Sequence, residues 1–220
     1  MLIDLHAHTR YGSSCAYMDP SALVQRAKHI GLDGVCITEH NQPWDRRAIE
    51  KLSKEHDFLV IGGIEVTTNC GDILVFGFHQ SVLNVWEAEE LREMVERAGG
   101  VMIAAHPFRG QVGPDFSARF GQPLTVETVS RRPLFQTVDA VEVFNGRAGP
   151  QEQDFAQAVS DHLNLKGTGG SDAHNVASVG RCVTIFENRI MNEEELIAEI
   201  RAGRLRGANG NSQELLRLSV

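Results

Sequence analysis

Several histidine and carboxylate side chains stand at the ends of short apolar runs, in positions where they could bind metal ions together. The chain contains nine histidines, and five of them end such a run or lie in the turn beyond it: His6, His8, His40, His106 and His174. Three carboxylates take the same kind of position: Glu39, Glu65 and Asp172. Because alternate residues of a strand face one side, His6 and His8 point together. This pattern predicts a metal centre.

The residue types narrow the choice of metal. Imidazole and carboxylate ligands without thiolate suit Zn, Mn or Fe. A zinc ion takes about four ligands, and a catalytic site keeps one position open. Seven or more ligands therefore imply at least two metal ions. A single HxH pair is a weak signal at this histidine content, so the prediction depends on five histidines reaching one place.

The remaining histidines are interpreted differently. His29, His56 and His162 lie within helical stretches and are assigned no role in the site. His79 follows the apolar run 73–78, and its neighbours allow either simple burial or metal ligation.

The elements that must position these residues are short strands alternating with amphipathic helices. We predict strands at 2–5, 34–38, 58–66, 73–78, 101–105, 140–144, 166–170 and 182–186, and helices at 21–30, 44–56, 85–98, 123–130, 150–163 and 193–202. This alternation favours an α/β fold with a mostly parallel sheet. In an α/β barrel, polar residues at the strand C-termini meet at one mouth. The short link between runs 58–66 and 73–78 predicts a hairpin instead of a helical crossover.

Length and composition predict one domain over residues 1–220, because no composition break divides the 220 residues. Residues 203–220 are expected to form a last strand plus a tail. The long connection 107–122 contains Arg109 and Arg119, and loops of this length in compact domains are usually functional. We interpret it as a lid that selects among substrates.

Charge and cysteine content exclude some functions and suggest a location. Acidic residues outnumber basic ones by 29 to 21, for a net charge of −8, so no stable nucleic-acid complex is expected. No apolar run is long enough to span a bilayer, and no secretion signal is visible, so no membrane association is expected. The four cysteines form no CxxC pair, which favours a reducing, cytoplasmic setting.

Six motifs occur in the order seen in one known family. They are DLHAHT (4–9), ITEHN (37–41), GIEVTT (63–68), AAHPFR (104–109), VEVFNGR (141–147) and GGSDAH (169–174). Together they resemble the PHP family, named for polymerase and histidinol phosphatase, over roughly the first 185 residues. The resemblance implies a distorted (βα)7 TIM-like barrel with two or three divalent metal ions at its C-terminal mouth.

The resemblance also implies a ligand set. By motif, the ligands are His6 and His8, His40, the bridging carboxylate Glu65, His106, Asp172 and His174. Glu142 and Asn145 match a motif that lines the site.

Two departures from the family pattern leave alternatives open. Ser13 and Ser14 stand where relatives usually have a His or Asp ligand, and Cys15 could replace that ligand or be a buried free thiol. Asp72 stands where relatives commonly have a ligating His. The other candidate for that ligand is His79, and we favour Asp72 slightly because carboxylate is a sound ligand for these cations.

The expected activity is a metal-dependent phosphoesterase. Hydroxide shared by two metals, and held between Glu65 and Asp172, attacks phosphorus in line. Arg109 is the candidate phosphate clamp, with Arg147 and Arg10 as weaker candidates. Glu39 is expected to orient His40 or a neighbouring ligand.

Other functions and several substrates stay open. One alternative is amidohydrolase-like hydrolysis of a C–N or C–O bond, although no Lys ends a predicted strand. Another is a non-catalytic or proofreading metal-binding module. The expected partner is a small phosphorylated substrate: histidinol phosphate, a nucleotide monophosphate, a 3′,5′-bisphosphate or an oligonucleotide end. The oligomeric state is not predicted.

Overall fold

The strands of the computed structural model, which describes residues 1–112 and 124–210, form one nine-stranded sheet in the order β7-β6-β5-β4-β3-β2-β1-β8-β9. The strands are β1 Leu2–Asp4, β2 Gly34–His40, β3 Leu59–Thr68, β4 Gly71–Phe76, β5 Val101–Ala104, β6 Ala140–Asn145, β7 Lys166–Gly170, β8 Cys182–Phe186 and β9 Leu205–Asn209. The helices are α1 Pro20–His29, α2 Arg46–His56, α3 Ala88–Ala98, α4 Val126–Val129, α5 Leu134–Thr137, α6 Pro150–Leu163 and α7 Glu193–Ala202. A 3₁₀ turn covers Val176–Ser178.

The sheet curls until its first and seventh strands meet beyond their C-terminal ends. There the backbone N–H of Asp172 donates to the carbonyl of His6 at 2.7 Å, and the backbone N–H of His8 donates to the carbonyl of Ala173 at 2.9 Å. Strand β8 pairs antiparallel with β1, and β9 pairs antiparallel with β8 after the chain has passed through α7. The expected α/β barrel is therefore confirmed in class, but with nine strands instead of seven because β8 and β9 extend the sheet.

The barrel interior is apolar below the mouth. One buried cluster takes side chains from eight of the nine strands, including Ile3, Cys36, Ile61, Leu74 and Ile103. Such inward-facing side chains fill small barrels completely. The polar residues that follow these strands therefore lie directly above a packed apolar core.

The hairpin predicted for runs 58–66 and 73–78 is confirmed as β3 and β4. The two strands are antiparallel, with Thr67 opposite Asp72 and Glu65 opposite Leu74. Residues directly opposite share a face, as do residues two apart in a strand. Asp72 thus faces the same side as Glu65, at the same end of the sheet, and the far end of β4 lies at the opposite end.

Two predicted segments extend outside the described residues. Residues 113–122 of the connection 107–122 lie there, including Arg119, as do residues 211–220 of the expected tail. The last strand expected within 203–220 is present as β9. No described helix combines the length and apolar character needed to cross a membrane.

Barrel closure predicts a specific stability effect at Thr184. Its buried hydroxyl accepts from the N–H of Gly169 at 2.8 Å and donates to the Gly169 carbonyl at 2.8 Å, joining β8 to β7. Thr184→Val keeps the shape but removes both bonds, so we expect a loss of about 1–3 kcal/mol in the free energy of unfolding. Urea denaturation measures this loss.

Thr38→Val is the matched control. The buried Thr38 hydroxyl donates at 3.3 Å to the Ala7 carbonyl, which also accepts the Thr38 N–H at 2.9 Å. Removing the hydroxyl leaves the Ala7 carbonyl paired with the Thr38 N–H. We therefore expect the free energy of unfolding to fall by less than about 1 kcal/mol. Equal losses in the two variants would contradict a closing role for Thr184.

Candidate metal centre

The candidate ligands come together at the mouth of the barrel, although they come from six strands. His40 ends β2, Glu65 lies in the last third of β3, and His106 follows β5 by two residues. The other ligand residues follow β1 or β7, or begin β4: His6, His8, Asp172, His174 and Asp72. C-terminal strand ends meet at one face of such a barrel. Asp72 reaches the same face because β4 runs in the reverse direction.

Glu65 is the centre of the cluster. Its Oε1 lies 2.8 Å from His106 Nε2 and 3.5 Å from His6 Nε2, and its Oε2 lies 3.0 Å from His40 Nδ1 and 3.2 Å from His8 Nε2. The Nε2 atoms of His6 and His8 are 3.0 Å apart. Glu65 and Asp172 are 2% exposed, and His6 and His8 are fully buried.

Among the described residues, four groups of three side chains could each hold a metal ion, since the ligand atoms within a group lie within 4.8 Å of one another. One of the four, His6, His106 and Glu142, shares His6 and His106 with two of the others. Group A is His6, His8 and Asp172; group B is Glu65, Asp72 and His106; group C is His8, His40 and His174. Imidazole nitrogens and carboxylate oxygens that face one another in a buried site are the donor set of divalent metals. The residues therefore fit the metal ions that the sequence predicts.

Two of these ligands stand on strained backbone. His106 has φ of 31° and Asp172 has φ of 50°, in the left-handed region that non-glycine residues rarely adopt. Such conformations cluster at functional sites, where the surrounding structure imposes them. Here the strain lies at the two turns that bring side chains back over the mouth.

Electrostatics favour charged carboxylates in the cluster. Burial alone raises the pKa of Glu65, but the charge of His6 and hydrogen bonds from His106 and His40 outweigh it and hold that pKa well below its usual range. Burial likewise raises the pKa of Asp172, and His6, His8 and Arg109 reverse the effect. Both carboxylates are therefore ionised at neutral pH.

The same charges act on the histidines. Burial lowers the pKa of His6, but Glu142, Asp172 and Glu65 raise it well above the ordinary value. The pKa of His8 is also raised, because hydrogen bonds to Asp172 and Glu65 exceed the effect of burial. Burial lowers the pKa of His174. The metal-free cluster thus balances carboxylates against protonated imidazoles.

Glu142 fixes the orientation of His6. Its Oε1 lies 3.0 Å from His6 Nδ1, and its Oε2 accepts from the His106 backbone N–H and from Asn145 Nδ2, each at 2.9 Å. Ligating histidines commonly place their second nitrogen against a carboxylate in this way. Glu142 and Asn145, expected to line the site, thus lie behind the ligands.

Glu39 supports a different histidine from the one expected first. Its buried carboxylate accepts from the Ser13 hydroxyl at 2.5 Å, from the Thr9 N–H at 3.1 Å and from Trp44 Nε1 at 3.1 Å. Ser13 Oγ lies 3.2 Å from Nδ1 of His8. Glu39 therefore supports His8 through Ser13, and no contact joins it to His40 among the described hydrogen bonds.

Two predicted site residues are not brought to the cluster. His79 lies beyond the far end of β4, where its Nε2 pairs with Glu193 Oε2 at 2.9 Å. The alternative that makes His79 a ligand is therefore wrong in this structure, because the reversed direction of β4 carries it away from the mouth. Arg10 pairs at 2.7 Å with Asp19, and both side chains are exposed, so its assignment as a clamp is also corrected.

The other arginines and Cys15 lie at the site. Arg109 donates through Nη2 to Asp172 and, at 2.9 Å, to Asn145 Oδ1. Arg147 Nη1 lies 3.4 Å from His174 Nε2 and 3.7 Å from Asp172 Oδ1. Cys15 is exposed, with its Sγ 3.4 Å from His40 Nε2. The alternative of a buried free thiol at Cys15 is therefore corrected.

The cavity over the cluster has a volume of about 500 Å³ and a basic rim. Sequence reasoning missed three residues that line it: Asn175, Ser178 and Arg181. Asn175 and Ser178 belong to the turn and 3₁₀ segment just after His174, and Arg181 directly precedes β8, so proximity to that ligand was the available signal. No lysine lines this cavity within the described part of the chain.

Comparison with known proteins supports the fold and the family resemblance. Residues 4–104 match the model of the PHP domain, and residues 150–205 match the model of a PHP-associated region. Uncharacterized protein MJ1587 of Methanocaldococcus jannaschii is 30% identical over 154 residues, which cover 66% of this chain and 82% of that protein.

Solved structures with low identity share the architecture. A candidate metal-dependent phosphoesterase from Bifidobacterium adolescentis has a TM-score of 0.62 at 16% identity, covering 91% of this chain and 96% of that one. A two-domain protein from Bacteroides vulgatus with a predicted PHP-like metal-dependent phosphoesterase has a TM-score of 0.70 at 17% identity. The match covers 100% of this chain and 68% of that one. A Chromobacterium violaceum amidohydrolase with bound sulfate and no metal has a TM-score of 0.61 at 14% identity, covering 96% and 99%.

The pKa shifts predict how pH acts on the metal-free protein. The lowered pKa values of Glu65 and Asp172 stabilise the fold above about pH 4.3, and this contribution is lost as pH falls. The raised values of His6 and His8 stabilise it fully below about pH 6.5, and this contribution is lost as pH rises. We expect chelator-treated protein to resist urea better at pH 5.5 than at pH 8.

Metal should reverse this trend, because ligating imidazoles must be deprotonated. We expect the stabilisation by Zn²⁺ to be larger at pH 8 than at pH 5.5. In His6→Gln, the difference between the two pH values without metal should shrink. Metal-free wild-type protein that is more stable at pH 8 would refute the assigned charge balance.

Proposed function

Because the chain belongs to the PHP family, we propose that it is a metal-dependent phosphoesterase that hydrolyses a small phosphomonoester or an oligonucleotide end. The observation that carries this proposal is Arg109. Its guanidinium lies beside Asp172 of group A, and its buried Nε has no hydrogen-bond partner among the described residues. A buried N–H without a partner is costly unless a ligand satisfies it.

The metal ions that groups A, B and C fit would supply Lewis-acid chemistry and activate water at neutral pH. Residues of the chain would hold both reactants. Glu65 and Asp172, ionised and buried, accept hydrogen bonds from the attacking water and orient it. Arg109 donates to phosphoryl oxygens, as guanidinium groups do in pairs of parallel bonds. Its Nη2 bonds to Asp172 and to Asn145 Oδ1, which holds the guanidinium at the cavity wall.

Phosphoryl transfer fits these residues better than C–N bond hydrolysis. A phosphoryl group brings negative charge, and the cavity offers Arg109, Arg147 and Arg181 at its rim. Charge stabilisation and positioning are most of what phosphoryl-transfer catalysis requires. The sulfate found in the amidohydrolase from Chromobacterium violaceum is an anion of the same shape. The absence of lysine from the described cavity wall disfavours the carboxylated-lysine chemistry of amidohydrolases.

We further propose a small phosphorylated partner and a cytoplasmic setting. A cavity of about 500 Å³ holds a nucleotide or histidinol-phosphate-sized molecule. The net charge of −8 opposes long contact with a nucleic acid. All four cysteines lie in the described ranges and are unpaired, as in reducing compartments.

Phosphate release from a substrate panel tests the activity. The panel contains phosphomonoesters of sugars, nucleotides and histidinol, 3′,5′-bisphosphates and a model diester, each with Mn²⁺, Zn²⁺, Fe²⁺ or a chelator. We expect metal-dependent, chelator-sensitive release from one monoester class. Hydrolysis of C–N substrates, together with no phosphate release from any phosphate ester, would contradict the proposal.

His106→Ala should remove activity without unfolding the protein. His106 is a member of group B and bonds to Glu65. Because loss of even an outer-shell partner lowers metal-site activity by about 10–100-fold, we expect at least a hundredfold loss of kcat/KM. His79→Ala is the matched control, since His79 pairs with Glu193 away from the cluster. Equal activity in the two variants would overturn the site assignment.

Arg109→Ala should impair catalysis with little change in bound metal. Removing one donor to a developing charge typically lowers kcat about 10²–10³-fold, and we expect a similar loss of kcat/KM for the best monoester. Metal content by mass spectrometry should equal that of the wild type. Arg10→Ala, which removes an exposed ion pair with Asp19 and a contact over the Tyr11 ring away from the cluster, serves as the control. A loss of metal that matches the loss of activity would contradict the assigned role of Arg109 as a phosphate clamp.

A further inference from the structure

The three ligand groups differ in charge. Group A contains Asp172, and group B contains Glu65 and Asp72. Group C consists of imidazoles alone, and one of them, His8, also belongs to group A. A metal ion in group C would therefore have only His40 and His174 to itself, and no anionic ligand from these residues.

Hydrogen bonds fix which nitrogen of these two histidines is free. His40 Nδ1 faces Glu65 Oε2 at 3.0 Å, and His174 Nδ1 lies 2.9 Å from the Asp172 carbonyl. A histidine whose Nδ1 is held in this way presents Nε2 to a metal. Group C therefore turns two Nε2 atoms toward the cavity. That of His174 lies 3.4 Å from Arg147 Nη1, so the Arg147 side chain would have to move aside for a metal ion.

The side chain next to His40 Nε2 is Cys15. Its Sγ lies 3.4 Å from that nitrogen and lines the same cavity as His40 and His174. On a tetrahedral zinc, sulfur at 2.3 Å and nitrogen at 2.0–2.1 Å are about 3.6 Å apart. The observed separation is thus within a few tenths of an ångström of the spacing that a shared metal requires.

Ser13, two residues earlier, is not available for this role. Its hydroxyl donates to Glu39 at 2.5 Å and lies 3.2 Å from His8 Nδ1. Its only proton is donated to Glu39, and one of its lone pairs faces His8 Nδ1. The two residues of this loop therefore have different roles. Ser13 supports the ligand His8, and Cys15 lines the cavity.

We propose that Cys15 is a thiolate ligand that completes group C, together with His40 and His174. This assignment rests on the metal dependence proposed above, but it concerns one ligand and one position. A soft thiolate favours Zn²⁺ or Co²⁺ over Mn²⁺ or Mg²⁺. Group C would therefore discriminate against Mn²⁺, which groups A and B accept.

Cobalt binding tests the assignment without any turnover. Metal-free wild-type protein, Cys15→Ser and Cys70→Ser are titrated with Co²⁺ and followed by absorbance. We expect the near-ultraviolet band of a cobalt–thiolate bond in the wild type and in Cys70→Ser, and no such band in Cys15→Ser. Cys70 is the control because it lies at the β3–β4 turn, and Cys36 and Cys182 are buried.

Metal content provides a second readout. After gel filtration, Cys15→Ser should retain about one ion fewer per chain than the wild type, and Cys15→Asp should recover that ion without the thiolate band. A band that persists in Cys15→Ser, a saturated wild type without a band, or equal metal content in Cys15→Ser and the wild type would each overturn the proposal.

Alkylation tests the same bond chemically. Only the thiolate reacts with iodoacetamide, and a metal-bound thiolate is occupied. With Zn²⁺ at a hundred times its Kd, about 1% of the sites are free, so we expect alkylation of Cys15 to slow about a hundredfold. An unchanged rate would refute metal ligation.

These results separate the ligand assignment from the proposed activity. A cobalt–thiolate band in a protein that hydrolyses no phosphate ester would support Cys15 as a ligand and contradict the phosphoesterase. Chelator-sensitive phosphate release in a protein without the band would support the phosphoesterase and contradict Cys15 as a ligand.

Discussion

Glu65 brings one buried carboxylate within 3.5 Å of four imidazoles, those of His106, His40, His8 and His6. A carboxylate taken out of water is strongly unfavourable unless charges and hydrogen bonds surround it. No single strand can provide four such partners, so the site exists only when separate strand ends converge. In turn, four imidazoles this close tolerate one another only because Glu65 and Asp172 stand between them. The carboxylates and the histidines are therefore mutually dependent.

Convergence of the strands depends on how the sheet closes. The backbone after β1 and the backbone after β7 are hydrogen-bonded at His6, His8, Asp172 and Ala173, which places ligands from both ends of the chain side by side. Strand β4 contributes differently, since it runs in the reverse direction and presents its first residues to the mouth. A ligand from β4 must therefore precede the strand's apolar residues, whereas a ligand from β2, β3 or β5 must follow them.

Much of this arrangement can be predicted from the sequence. Polar residues after apolar runs predict His40, His106 and Asp172 at one face, and the short link after β3 predicts the reversal of β4. That reversal also decides between Asp72 and His79, because only the start of β4 lies at the mouth. The α/β barrel follows from alternation, but the antiparallel pairing of β8 and β9 does not, since β8, α7 and β9 continue the same alternation of strand and helix.

Side-chain partners are harder to predict, because they depend on loops and on strand geometry together. Neighbouring residues of a strand face opposite sides, so Glu39 cannot share the face of His40, and its partner Ser13 comes from a separate loop. Arg10 stands two residues after a ligand and Arg109 three residues after one, yet only Arg109 points to the cluster. The turns at His106 and at residues 9–15 decide this, and no periodic pattern describes them.

The residues behind the ligands explain why the cluster can be ordered before a metal binds. Glu142 holds Nδ1 of His6, Ser13 with Glu39 holds Nδ1 of His8, and Glu65 holds Nδ1 of His40. In each case Nε2 is left as the ligand atom. Because each ring is fixed by a partner from another element, rotating one imidazole would break a bond elsewhere in the barrel. Metal binding then requires loss of protons from His6 and His8, but little movement of side chains, which is the preorganisation that a metal-dependent site needs.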